Sequence, residues 1–188
     1  MRKSGIVVAI AVLLACGIGG TLLFNRSAAT EGARAAPQPV WNEGPWPFPM
    51  DQWGRGKAYT CKAADCGTDV TVYIRAKIGF CNCATGVADD EELDRISDFE
   101  LFGNQLTAQA PGRPVTVAWM KGRSRPFAIS GRQRFGKSAL SIGINDRCDA
   151  IVATAVSAQD QPAAIEATEL AFLNSSTVLR WAEVTLGL

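Results

Sequence analysis

Short stretches rich in β-branched and apolar residues recur about every ten residues through the middle of the chain, a spacing typical of strands joined by hairpins. Turn-forming residues separate these stretches, so the pattern predicts an antiparallel sheet. The predicted strands cover residues 56–62, 69–78, 98–102, 105–108, 113–120, 126–130, 138–144 and 150–156. The predicted turns lie at residues 103–104, 111–112, 121–124, 131 and 145–146.

Three other segments have features of helices. Residues 89–96 begin with acidic side chains, which favour a helix N-terminus through the helix dipole. A second predicted helix follows Asp160 as its N-cap, with Pro162 at an early helical position. The tail of the chain can be drawn as a strand or as a helix. We expect a helix that is capped by Ser176 and ended by Gly187.

Together these elements predict an α+β fold, with one antiparallel sheet built from hairpins and two or three helices packed against it. The element order is broadly similar to the Mog1/PsbP-like arrangement. This resemblance implies an arrangement of elements and no activity, because one fold can carry many functions.

The beginning of the chain predicts a signal peptide or a transmembrane anchor over residues 1–24. A basic start precedes residues 6–24, which carry no charge, and this order is typical of export signals. Three interpretations are open. The apolar run can stay as a membrane-spanning helix with its basic end in the cytoplasm. A signal peptidase can instead cut near residues 33–35, or residues 13–16 can form a bacterial-type lipobox in which Cys16 is acylated.

All three interpretations place the remaining chain outside the cytoplasm, in a bacterial-type periplasm and tethered to the inner membrane, or secreted. Residues 25–39 are small, polar and proline-containing, which predicts a flexible tether. Residues 40–188 are then one domain of ordinary size. The formal net charge of +1 gives no general attraction to nucleic acid. We therefore expect an envelope protein or a membrane surface as the partner.

The cysteines of this domain raise a choice between disulfides, a metal site and redox chemistry. The chain has no histidine, and the domain cysteines are Cys61, Cys66, Cys81, Cys83 and Cys148. Zinc, an iron–sulfur cluster, copper or a redox pair at Cys81 and Cys83 are the alternatives to disulfides. The one-residue gap between those two cysteines does not suit paired zinc ligands. Because an oxidising compartment favours disulfides, we expect structural disulfides and no metal or cofactor.

The hairpin formed by the first two predicted strands suggests how the cysteines pair. Cys61 and Cys66 flank its short turn and are close enough to bridge. At about 3.3 Å per residue, the far end of the second strand is tens of ångströms from that turn. Cys83 or Cys81 should therefore bridge to Cys148, and one thiol of the five stays unpaired.

Charged segments are candidates for a surface function. The basic segment predicts an anion-binding or partner-binding hairpin tip, and its candidate residues are Lys121, Arg123, Arg125, Arg132 and Arg134. The alternative is a solvated edge, where basic side chains discourage pairing between sheets. The acidic run at residues 89–94 lacks the alternating oxygen ligands and central glycine of a calcium loop, so an exposed helix start is the favoured interpretation. The acidic and basic segments could also face one another.

An aromatic and proline-rich segment opens the predicted domain. It contains Trp41, Trp46, Phe48 and Trp53, with prolines between them. These rings could lie at a membrane interface or bind a ligand. The favoured interpretation is that the segment packs across the domain and fixes the point at which the tether leaves.

No motif in the chain specifies a reaction, and we assign no catalytic residue. Without histidine there is no Ser-His or Cys-His pair of the usual kind. The leading hypothesis is a non-catalytic envelope module, held by disulfides, that binds another component. The alternative is a thiol–disulfide or metal-handling protein that uses Cys81 and Cys83, and a third hypothesis is a membrane-surface binder that uses the basic segment.

Overall fold

The computed structural model describes residues 39–102, 105–130, 136–159 and 162–188, which form an eight-stranded antiparallel sheet with helices on both faces. The strands are β1 (Trp41–Gly44), β2 (Lys57–Cys61), β3 (Val70–Lys77), β4 (Gln105–Ala108), β5 (Arg113–Val117), β6 (Met120–Ser130), β7 (Ser138–Asp146) and β8 (Asp149–Ser157). The helices are α1 (Ala63–Cys66), α2 (Asp90–Ile96), a 3-10 helix (Phe99–Phe102), α3 (Pro162–Leu173) and α4 (Ser176–Leu186). The α+β class with few helices is confirmed.

The strand order is β1-β2-β3-β8-β7-β6, and the outer side of β6 is shared by two short strands. β5 pairs with the first part of β6, and β4 pairs with its last part. The edge is therefore interrupted between β4 and β5. The central strand β8 is almost wholly buried on both faces, which explains its run of small and β-branched residues.

The helices α3 and α4 cover one face of the sheet. In α4 the buried residues Val178, Ala182 and Leu186 follow a four-residue spacing, which places them on a single stripe of the helix. They share the main core with inward-facing residues of β3, β7 and β8, such as Ile74 and Ile142. We refer to this side of the sheet as the α3 face.

The opposite face is covered by α2, the 3-10 helix and the segment that follows β1. The buried Leu93 and Ile96 of α2 pack against Val152 of β8. Phe48 and Phe102 pack together in a second cluster with rings 5.4 Å apart. We refer to this side as the α2 face, and it contains most of the charged residues discussed below.

The strand predicted at residues 98–102 is wrong, because this stretch forms the 3-10 helix. A turn replaces extended backbone where the Leu101 N–H donates to the Asp98 carbonyl at 3.0 Å. The turn directs Phe99 onto Phe127 and Phe102 onto Phe48. Phe99 and Phe102, three residues apart, thus reach two different partners. In the sequence, the alternation of Phe99, Glu100 and Leu101 resembles a strand.

The turn predicted at residues 121–124 is also wrong, since these residues lie inside β6. The turn lies instead at Ala118 and Trp119, where Ala118 adopts a positive φ of 50° and donates its N–H to the Asn174 side chain. Gly122 serves a different purpose, because a Cβ there would collide with the Gly143 carbonyl oxygen of β7. Similarly, the turn predicted at residues 145–146 falls just after them, between β7 and β8.

The helix ends agree closely with the local sequence signals. Asp89 caps α2 by accepting the Glu92 N–H at 2.8 Å. The tail forms a helix that ends at Gly187 in the left-handed region, but its N-cap is Ser175 and not Ser176, since the Ser175 side chain accepts the Val178 N–H. The proposed cap Asp160 lies outside the described residues.

The predicted export segment, including Cys16 and the possible cleavage and acylation positions, lies outside the described residues. Within the described ranges, no helix has the length and hydropathy needed to cross a membrane. The first described strand, β1, has no counterpart among the predicted strands. It forms because residues 41–44 pair with β2 in antiparallel register, with Trp41 opposite Cys61.

Candidate functional site

Four of the five domain cysteines form two disulfides. Cys61 at the end of β2 bridges Cys66 at the end of α1, with the Cα atoms 6.0 Å apart; we call this the local disulfide. Cys83 bridges Cys148, 65 residues later, as the long-range disulfide. The local disulfide is the one predicted from the hairpin. Of the two candidates for the second bridge, Cys81 and Cys83, it is Cys83 that bonds to Cys148. Two such bonds fit a disulfide-stabilised module and indicate an oxidising, extracytoplasmic environment.

The fifth cysteine, Cys81, is a buried free thiol beside the long-range disulfide. Its N–H donates to the Cys148 carbonyl at 3.1 Å, and its Sγ lies 3.3 Å from the Arg147 carbonyl oxygen. Burial raises the pKa of this thiol, and the charges of Glu92 and Asp149 add to the effect. At neutral pH the thiol therefore stays protonated, the form that is a poor nucleophile and a poor metal ligand.

The loop that carries Cys81 and Cys83 is held in place by α2. The Asn82 N–H donates to the Glu92 carboxylate at 2.8 Å, while the Asn82 side chain accepts the Ala84 N–H at 2.9 Å. The second contact is the local turn that asparagine favours. Within the described part of the chain, no group of three or more Cys, His, Asp or Glu side chains is placed to hold a metal ion.

A buried ionic cluster on the α2 face was not predicted from the sequence. Arg75 and Lys77 alternate along β3 and are 1% and 2% exposed, with Asp98 between them at 5%. The Arg75 Nε lies 3.0 Å from Asp98, and the Lys77 Nζ lies 2.8 Å from it. Asp51 adds a further ion pair to the cluster, with its carboxylate 2.6 Å from the Arg75 Nη1.

Aromatic rings close this cluster from outside. Trp46 lies 5.9 Å from the Arg75 guanidinium, and Trp53 lies 5.7 Å from the Lys77 ammonium, both within cation–π range. Trp46 also packs edge-on against Tyr73. The aromatic segment thus packs across the domain, as the favoured interpretation expected, and Trp41 extends the pattern to the α3 face by stacking on Phe172.

The basic and acidic segments face one another. The Arg123 guanidinium pairs with Asp90 of α2, and Arg125 pairs with Asp94 at 2.6 Å. These arginines lie in the middle of β6, so the expected hairpin tip is wrong and their charges are largely compensated. The helix start at α2 is correspondingly half-buried at Asp90 and not fully exposed.

An anion-binding or partner-binding surface at the remaining basic residues is still a prediction. Lys121 is exposed at the start of β6. Arg132 and Arg134 lie outside the described residues. With Arg123 and Arg125 directed onto α2, such a surface has fewer free cations than the sequence suggested.

A small cavity lies on the α3 face, where α3 passes the interrupted edge of the sheet. Its volume is about 220 Å³, and Pro111, Pro126 and Leu140 form its apolar wall. Glu166 of α3 forms the charged part of the wall and is 3% exposed. Its carboxylate accepts hydrogen bonds from the buried Ser124 hydroxyl and from the guanidinium of Arg113.

One turn further along α3, Glu169 is completely buried. Neither of its carboxyl oxygens has a hydrogen-bond partner in the described structure. Burial raises the pKa of this carboxyl well above its usual value of 4.5. The burial of these two glutamates was not predicted, because glutamates spaced along a helix ordinarily mark its exposed side.

Compared with protein-family models, with curated proteins and with solved structures, the chain has no match. The likeness to the Mog1/PsbP-like arrangement therefore stays a prediction. The structural features that bear on function are the two disulfides, the compensated charges and the cavity.

Proposed function

We propose that the chain is an exported protein of a bacterial-type envelope, membrane-tethered or secreted, whose domain is a non-catalytic binding module. The observation that carries the proposal is the pair of disulfides, since stable disulfides persist in oxidising compartments and are rare in the cytosol. The apolar, positively flanked start of the chain supports export. The non-catalytic part is supported by the ion pairs of Asp98, Asp90 and Asp94, each of which is engaged by a cation of the sheet and is not a free acid or base.

The test is non-reducing peptide mapping of the protein isolated from its native cells after fractionation. We expect a Cys83–Cys148 cross-linked peptide in the envelope or secreted fraction, with protease reaching the domain from the outer side of the membrane. The same mapping would report whether residues 1–35 are retained and whether Cys16 is acylated. Recovery of the protein in the cytosol with reduced cysteines would contradict the proposal, and turnover of a substrate by the purified protein would contradict its non-catalytic part.

A second candidate function is thiol–disulfide exchange, favoured by the position of Cys81 beside Cys148. In that reaction the Cys81 thiolate attacks the Cys148 sulfur, a Cys81–Cys148 bond forms, and Cys83 leaves as the thiolate. The raised pKa of the Cys81 thiol argues against it. The Cys83→Ser variant separates the two: lost redox or metal activity in a folded domain supports exchange, whereas lost folding supports the structural role. Cys81→Ser is the matched variant, because it removes the attacking thiol and leaves the disulfide.

A further inference from the structure

The cavity on the α3 face exists because the sheet edge is interrupted there. β5 pairs with β6 as far as Ser124, and β4 resumes the pairing at Phe127. Between these points β6 contains Pro126, which has no N–H to donate to an edge strand. The Pro126 carbonyl does accept the Gln109 N–H at 2.9 Å, so the connecting segment stays attached while it passes around the opening.

The register of β5 and β6 places two polar groups at this opening. Arg113 is the antiparallel partner of Ser124, and directly opposed residues point to the same face of a sheet. Both side chains reach Glu166, which approaches from α3. The cavity therefore combines an apolar wall with a single carboxylate at its charged end.

The two members of the Arg113–Glu166 pair differ sharply in exposure. The Glu166 side chain is 4% exposed, whereas the Arg113 side chain is 64% exposed. Arg113 can therefore swing into water with little loss, since its charge is already largely hydrated. Glu166 cannot be left alone, because a buried charge without a partner is strongly destabilising.

This asymmetry selects the charge of a ligand. An anion would draw Arg113 away and leave the Glu166 carboxylate uncompensated, while a cation would replace Arg113 and keep the carboxylate paired. The wall of Pro111, Pro126 and Leu140 suits an aliphatic stem. Sites for drug-sized ligands occupy about 300–1,000 Å³, so a cavity of about 220 Å³ limits the ligand to a smaller molecule.

We propose that this cavity binds a small aliphatic ammonium compound, either an amine or an amino acid, whose ammonium group replaces the Arg113 guanidinium on Glu166. In the bound state the Ser124 hydroxyl keeps its hydrogen bond to the carboxylate. For an amino acid, the displaced Arg113 is free to pair with the ligand carboxylate at the mouth of the cavity. The inference rests on the proposed binding role and names the class of ligand for it.

Three matched probes test the ligand chemistry by isothermal titration of the oxidised full-length protein in a mild detergent. They are leucine, 3-methylbutylamine, which lacks the carboxylate of leucine, and 4-methylpentanoate, which lacks its ammonium group. We expect the amine, or the amine and leucine, to bind and the carboxylate not to bind. Leucine binding without the amine would mean that the carboxylate dominates recognition and would overturn the proposal, as would binding of 4-methylpentanoate at the affinity of the amine.

Two variants test the residues, with Glu183→Gln on the exposed surface of α4 as the matched charge control. Glu166→Gln keeps the shape of the side chain and removes the charge, so amine binding should weaken by about tenfold or more, as for the loss of a charged hydrogen bond. Arg113→Gln removes the internal competitor and should strengthen amine binding. A structural ion pair would predict unchanged affinity in both variants.

The three probes, applied to the unsubstituted protein, keep the test decisive if either variant does not fold. Absence of binding by all three probes at millimolar concentration, with the oxidised protein folded, would overturn the ligand class. The peptide mapping described above tests the envelope proposal separately, so a correctly located and oxidised protein that binds no amine would lose only this inference.

Discussion

Glu169 offers a direct measurement of what a buried, unpartnered carboxyl costs this fold. Its side chain is completely buried in α3, and burial raises its pKa well above 4.5 in the folded state. The unfolded chain releases the proton near its ordinary pKa, while the folded chain holds it to higher pH. The stability contribution of this group is therefore full below about pH 4.5 and is lost as the pH rises towards the folded-state pKa.

The magnitude follows from proton linkage. Above about pH 5, the wild-type free energy of unfolding should fall relative to Glu169→Gln by about 1.4 kcal/mol for each pH unit, until the folded carboxyl itself ionises. Glutamine keeps a buried polar group but cannot ionise. The pH dependence of the difference in unfolding free energy between the two proteins therefore reports the ionisation of Glu169 alone. Glu169→Leu removes the unpaired polar group as well. Its free energy of unfolding should therefore exceed that of Glu169→Gln by about 1–3 kcal/mol at every pH.

The assay is urea unfolding of the three oxidised proteins at pH 5, 6, 7 and 8. Glu183→Gln serves as the control, because it replaces the same type of side chain at an exposed position of α4. We expect the control to follow the wild-type pH dependence and Glu169→Gln to depart from it. Parallel curves for the wild type and Glu169→Gln between pH 5 and 6 would refute the reasoning, since they would show that the folded state does not retain the proton.

Three further predictions concern the disulfides, the ionic cluster and the free thiol. Replacing both Cys83 and Cys148 with alanine should lower the free energy of unfolding by roughly 4 kcal/mol, and replacing both cysteines of the local disulfide should lower it by roughly 2 kcal/mol. The difference arises because a longer closed loop restricts the unfolded chain more. Equal losses for the two variants in urea unfolding would contradict this. Asp98→Asn should cost about 3–5 kcal/mol by leaving two buried cations under-compensated, and a loss no larger than that of the more exposed Asp51→Asn would refute the assignment. Cys81 should resist alkylation at pH 8 until denaturant is added, because burial shields the thiol and raises its pKa. Mass spectrometry of the peptide that carries Cys81 measures the labelling, and rapid labelling of the native protein would contradict this prediction.

The sequence predicted most of the strands because alternation and β-branched residues are local signals. It also located α2 and the end of α4, where Asp89 and Gly187 act through their immediate neighbours. The sequence wrongly predicted a turn at residues 121–124, inside β6, because glycine and charged residues normally mark a turn. In the folded protein Arg123 and Arg125 stay in the strand because α2, a distant segment, supplies the carboxylates.

The candidate site was less predictable than the fold, for the same physical reason. Glu166 becomes a buried wall of a cavity only because Arg113, in a separate strand, pairs with it across the interrupted edge. The burial of Arg75 beside Asp98 likewise depends on contacts across the sheet face. The cysteines were the exception, since a hairpin that brings Cys61 to Cys66 is itself a local structure.

The long-range disulfide has a consequence for how the protein is made. A chain emerges N-terminus first, so Cys61 and Cys66 can join early, but Cys81 and Cys83 appear long before Cys148. If cysteines were oxidised in the order in which they are synthesised, Cys81 would bond to Cys83. Cys148 would then have no partner. Reaching the native pairing requires either that Cys83 remain reduced until synthesis is nearly complete, or that a mispaired bond be reshuffled, a process that takes seconds to hours. The order in which the cysteines are oxidised therefore decides whether this domain needs a disulfide-exchange step to mature.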